Sequence, residues 1–250
     1  MQFLFTVGVE GTGHHLIGTL LSDYGKRNDS IFEGEWHKPL YEHWDFEVRW
    51  KNAQKKSISS EYKELQKKLR SAFNKHTSQQ IVNCFEYTSF PYEQPRESLR
   101  RPDLIEFSDL MAEFKDVIDV KYLVLYRDPI ETTYSAIRRG FTDNVYLQAK
   151  IIESNHINLE RQFSQMPDAD YKVMHFDKFL NQPEAHLKKL ADWWNLDYET
   201  VAQGLTRIRK PSGVAGVNDE IVGFLKDFFN EKRIQQWTSF YNGSNQLLED

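Results

Sequence analysis

The short apolar run Gln2–Val7 leads directly into two glycines separated by four residues, Gly8 and Gly13, and a helical pattern follows at once. Leu16, Leu20 and Leu21 carry that pattern at helical spacing. Strand, glycine turn and helix in this order allow backbone N–H groups to close around an anion. A side chain at the glycine positions would block the approach, and the start of the helix adds its positive dipole end. Short apolar segments recur at Ser30–Phe32, Ile81–Phe85, Tyr122–Tyr126 and Tyr171–Phe176, with helical patterns between them. That alternation predicts an α/β fold in three layers, with a mostly parallel central sheet flanked by helices on both faces.

The helical patterns have recognisable inner faces. Ile58, Tyr62, Leu65, Leu69 and Phe73 make Lys51–His76 an amphipathic helix with a lysine-rich outer side. Asp143 is placed to cap a second long helix, with Leu147, Ile151, Ile152, Leu159 and Phe163 inward. Pro183 opens a third, with Leu187, Leu190, Ala191 and Trp194 on one side. No repeat or linker divides the chain, so residues 1–250 read as a single domain.

Composition narrows the function classes. A chain of 250 residues that is 40% hydrophobic can bury a full core, and a formal charge of −5 argues against nucleic-acid or anionic-membrane partners. Cys84 is the sole cysteine, which excludes an internal disulfide. No stretch has the length and apolarity of a membrane span or a signal peptide, and a cytoplasmic protein is expected.

The Gly8–Gly13 spacing matches the Gly-x4-Gly-Lys-Ser/Thr phosphate loop, with its final lysine and hydroxyl replaced by His14 and His15. The lysine and the Mg²⁺-holding hydroxyl of nucleotide hydrolases are therefore absent. A second segment supports an anion site. Tyr122–Tyr126 delivers Arg127 at a strand's C-terminal end, where open parallel sheets bind ligands. Pro129 then suits the first turn of a helix that contains Ser135. Arg127 offers a planar fork for a phosphate, and Ser135 a hydroxyl donor.

These two segments together resemble the sulfotransferases that use 3′-phosphoadenosine 5′-phosphosulfate (PAPS). The motif pattern is most similar to the tyrosylprotein sulfotransferases, whose loop reads Gly-Val-Pro-Arg-Ser-Gly-Thr-Thr-Leu. The resemblance spans roughly residues 2–215 and implies a P-loop-type domain that transfers a sulfuryl group from PAPS to a hydroxyl acceptor. Gly11, Thr12, Gly13, His14 and His15 would hold the 5′-phosphosulfate. Arg127 and Ser135 would hold the 3′-phosphate, with Arg209 and Lys210 on a basic loop over it. The stretch Lys172–Leu180, with Pro183 and Trp194, is similar to the family's strand–helix segment after the binding motif.

The chain departs from the family at Gly11, where an arginine or lysine is usual, and at His14 and His15, where hydroxyls are. His14 or His15 is expected to supply the missing donor to the sulfate. For the base that accepts the hydroxyl proton, Glu33–His37 resembles the family's Gly-Glu segment, giving Glu35 and His37 as the candidates. Tyr87 and Thr88 are weaker candidates for ligand contact. The acceptor class expected is a small molecule or a carbohydrate, and no metal is expected. Two alternatives stand beside this reading: a P-loop kinase of nucleotides or small molecules, and a non-catalytic nucleotide-binding protein. A metal hydrolase built on His14, His15, His37 and His43 is disfavoured, because adjacent histidines rarely converge on one metal.

Overall fold

The computed structural model describes residues 2–9, 11–13, 16–17, 20–21, 59–75, 81–88, 104–140, 143–167, 169–208, 218–243 and 245–248. The strand expected at Ser30–Phe32 lies outside them, as do Ile58 and the first residues of the expected Lys51–His76 helix.

Among the described residues four strands form one sheet: β1 (Gln2–Gly8), β2 (Ile81–Thr88), β3 (Asp119–Tyr126) and β4 (Asp170–His175). Their order is β2-β1-β3-β4, and each neighbouring pair is parallel. The chain thus steps from β1 to one side and then crosses to the other, which opens a crevice between the carboxyl ends of β1 and β3. In register, Gly8 pairs with Leu125, so the glycine turn leaves the sheet level with the residues that lead into Arg127. Beyond β4 the C-terminal segment adds a single parallel bridge, Gln246 to Val173.

Side chains alternate along the strands and give each face its own core. Phe5, Val7, Tyr122, Val124 and Val173 point to one side; Leu4, Leu123, Leu125 and Met174 point to the other. Both sets are buried, as a parallel sheet covered on two faces requires. The first face is covered by α1 (Ser59–Lys75), α2 (Leu104–Ala112), α4 (Val145–Ser164), α8 (Asp219–Phe228) and α9 (Glu231–Tyr241). The second is covered by the helical residues Ile17, Leu20 and Leu21, by α5 (Phe176–Asn181), by α6 (Pro183–Trp194) and by α7 (Tyr198–Ala202). The expected three-layer α/β architecture is present. Among the described residues no helix is long and apolar enough to cross a membrane.

Local chemistry accounts for the helix starts. Pro129 opens α3 (Pro129–Arg138) and Pro183 opens α6, each where the missing N–H costs nothing. The cap of α4 is Asn144, whose side chain accepts from the Leu147 N–H at 2.9 Å; the cap expected at Asp143 falls one residue later. Leu147, in the first turn, is half-buried, while Ile151, Ile152, Leu159 and Phe163 are buried as expected.

One buried polar group titrates with the fold. His156 on α4 is fully buried, stacks on Trp237 at 5.3 Å between centroids and meets the Tyr241 hydroxyl at 2.8 Å. Burial pulls its pKa from 6.5 down to about 3, so the folded ring stays neutral. The unfolded chain takes up this proton at the ordinary value. The contribution is therefore complete above pH 6.5 and is lost as pH falls from there toward about 3, at about 1.4 kcal/mol per pH unit. Urea unfolding at a series of pH values should give a shallower acid decline for His156→Gln than for wild type. Parallel curves would show that His156 does not carry the dependence.

Candidate functional site

The glycine turn is braced from within. Thr12 is fully buried, and both its N–H (3.1 Å) and its hydroxyl (2.8 Å) donate to the Val9 carbonyl. Its side chain therefore closes the turn. Gly11 and Gly13 lie on either side at φ +94° and +98°, a region that favours glycine. Space is short as well. A Cβ on Gly11 would come within 3.1 Å of the Thr132 carbonyl and 3.6 Å of Ser135 Cβ, and one on Gly13 would run into the Phe176 ring. The Gly13 carbonyl then accepts from the Leu16 N–H (3.0 Å) and the Ile17 N–H (3.3 Å), which starts the helix.

Arg127 meets this turn from β3. The residue is 6% exposed. Its Nη1 donates to the Gly11 carbonyl at 3.3 Å, and its Nη2 donates to Glu131 Oε2, one helical turn along α3, at 3.2 Å. The guanidinium carbon lies 5.3 Å from the centre of the Phe176 ring. Asp177 Oδ1 is 3.7 Å from Nε, which is buried and has no hydrogen-bond partner. Asp128, the other acid beside Arg127, turns away to cap α3, accepting from the Ile130 (2.9 Å) and Glu131 (3.0 Å) N–H groups.

Gly11, Thr12, Gly13, Arg127 and Ser135 thus converge at the carboxyl edge of β1 and β3. His14, His15, Glu35, His37, Arg209 and Lys210 lie outside the described residues. Of Tyr87 and Thr88, the backbone ends β2 at the same edge. Two residues that sequence reasoning left without a role belong here, Phe176 and Asp177. Their signal was position: they follow β4 at the edge that carries the loop and the arginine.

Behind the site, Tyr126 packs against His175 (5.0 Å between centroids) and Tyr241 (4.4 Å). Burial, with Asp128 adding to it, pushes the Tyr126 hydroxyl up to about 12, so it remains a neutral phenol and is no base near pH 7. Among the described residues no group of three or more His, Cys, Asp or Glu side chains could hold a metal ion.

No protein-family model matches the sequence, and no curated relative is similar to it. Solved structures are similar in fold. A sulfotransferase from Alicyclobacillus acidocaldarius superposes with a TM-score of 0.51 at 14% identity, over 95% of this chain and 94% of that one. The sulfotransferase domain of the Synechococcus PCC 7002 olefin synthase gives 0.48 at 12% identity, over 96% and 94%. The sulfotransferase domain from the curacin biosynthetic pathway gives 0.48 at 14%, over 94% and 90%. The Alicyclobacillus match defines the class of fold: this chain has a sulfotransferase-like α/β fold.

The packing of Gly13 on Phe176 can be measured. Gly13→Ala adds left-handed strain of about 1–3 kcal/mol and an overlap with the ring. In a Phe176→Ala background the penalty should shrink without vanishing, because the φ strain persists, with a coupling of about 1 kcal/mol or more by urea unfolding. Additive effects would show that the ring is not the obstacle.

Proposed function

We propose that the protein is a sulfotransferase that moves the sulfuryl group of PAPS to a hydroxyl acceptor. One observation carries this reading: the glycine turn, Arg127 and Ser135 come together at the crevice between β1 and β3, in a fold shared with a sulfotransferase. The residues fit an anionic donor in two ways. Gly11 and Gly13 let the turn take up positive φ hard against α3 and Phe176, and Arg127 holds an unsatisfied, buried Nε–H.

On this reading the backbone of Gly11–Gly13, with His14 and His15, holds the 5′-phosphosulfate, while Arg127 and Ser135 hold the 3′-phosphate. Arg209 and Lys210 add charge over that phosphate. The acceptor oxygen attacks sulfur in line, the bond from sulfur to the bridging phosphate oxygen breaks, and adenosine 3′,5′-bisphosphate leaves. Glu35 or His37 takes the hydroxyl proton. His14 or His15 donates to the sulfate oxygens in place of the cation that Gly11 lacks. The acceptor class is a small molecule or carbohydrate, and the setting is the cytoplasm. The solved structures are described only as sulfotransferases or their domains, so the reading carries the donor chemistry and not the tyrosylprotein subtype.

Thermal unfolding with ligands tests the donor. Adenosine 3′,5′-bisphosphate at a hundred times its dissociation constant should stabilise by about 2.7 kcal/mol, and Mg·ATP should not. Stabilisation by Mg·ATP alone would favour the kinase alternative. Arg127→Lys keeps the charge and loses the fork, and should weaken the bisphosphate by about tenfold. A sulfuryl-transfer assay on Glu35→Gln and His37→Ala at saturating donor then identifies the base: its loss lowers kcat far more than donor affinity. Bisphosphate binding without transfer to any hydroxyl acceptor would favour the non-catalytic alternative.

A further inference from the structure

Two carboxylates, Glu131 and Asp177, lie beside the Arg127 guanidinium, in the place where an anion would compete with them. The two acids are held differently. Glu131 makes a 3.2 Å ion pair along α3, and its side chain is only 23% exposed. The Asp177 side chain is 49% exposed and touches its partners loosely: Oδ1 lies 3.7 Å from Arg127 Nε, and Oδ2 accepts from the Asp128 N–H at 3.5 Å. Neither contact is a well-formed charge-assisted bond.

The opposite side of that gap is buried. Arg127 Nε has no hydrogen-bond partner, although a buried charged donor left unpaired costs more than an ordinary missing bond. Glu131 and the Gly11 carbonyl occupy the two terminal nitrogens, and Phe176 covers one face of the guanidinium. The Nε–H is the donor of the fork that makes no bond, and Asp177 stands across it at 3.7 Å.

We infer that the Asp177 carboxylate is a place-holder for the ligand's phosphate at Arg127. It neutralises the arginine while the site is empty, and it swings out to solvent when a phosphate takes the Nε edge. A clasp that fixes Arg127 would be short and buried like Glu131; Asp177 is long and half exposed. Binding therefore exchanges one anion for another at Arg127, which lowers ligand affinity and eases product release. This inference rests on the assignment of a phosphate to Arg127 made above.

Isothermal titration calorimetry separates the two ideas. The ligands are adenosine 3′,5′-bisphosphate and adenosine 5′-monophosphate, which lacks the 3′-phosphate. Asp177→Asn keeps an acceptor for the Asp128 N–H and removes the competing charge. It should tighten the bisphosphate by about three- to tenfold and leave the monophosphate within about twofold, and the gain should shrink as salt is raised. Asp177→Ser serves the same test should the asparagine variant fold poorly. If wild type binds the bisphosphate and both variants bind it equally or more weakly, Asp177 positions Arg127 and the place-holder role is overturned, while the donor site stands. If wild type does not bind the bisphosphate at all, the donor site itself is overturned, and this inference with it.

Discussion

The burial of Arg127 is the constraint on which the carboxyl edge depends. A guanidinium with 6% exposure must find acceptors, and it takes them from two parts of the chain, the Gly11 carbonyl and Glu131 on α3, while Asp177 after β4 faces its Nε at 3.7 Å. The first of these dictates the loop. Gly11 reaches φ +94° within 3.1 Å (measured to an added Cβ) of the Thr132 carbonyl, which leaves room for no side chain. The missing basic residue at position 11 follows from the same packing. The loop and the arginine form one unit, and Phe176 seals it by touching both.

Much of the fold was legible because its elements carry strong local signals. Apolar runs, helical periodicity and the prolines at 129 and 183 gave β1, β4 and the starts of α3, α4 and α6 within a residue or two. The errors have physical causes. The N-terminal end of β3 is polar, and Lys121 is accommodated only because its amine reaches the Trp193 carbonyl at 2.9 Å and Asp170 at 3.3 Å. That partnership is tertiary, so the strand seemed to begin at Tyr122. The helices α8 and α9 received no assignment, although Asn218 and Asn230 cap them with acidic residues in the first turn. Trp237 and Tyr241 at i and i+4 then fill the core beneath Tyr126.

For the site, sequence spacing could bring Arg127 to Ser135, because strand, proline and helix fix that distance locally, whereas its approach to the loop needs β3 to lie beside β1. It could offer Asp128 and Glu131 as partners for the arginine but could not choose between them. The structure chooses by competition: the Asp128 carboxylate is spent on two N–H groups of α3, which leaves Glu131 for the ion pair. Asp177 was beyond reach, since its approach to Arg127 depends on β4 lying beside β3.

What lies behind Arg127 matters as much as what touches it. Tyr126, His156, His175, Trp237 and Tyr241 form a ring cluster under the end of β3. Burial holds three of them neutral: His156 is pushed down to about 3, and the hydroxyls of Tyr126 and Tyr241 are raised. A neutral, close-packed floor screens charge poorly, so the field of Arg127 is felt mainly toward the open crevice between β1 and β3. An arginine buried against a polar or hydrated floor would lose much of that field to water. The aromatic cluster thus gives Arg127 a dry backing, while Gly11 and Gly13 let α3 and Phe176 pack hard against the turn in front of it.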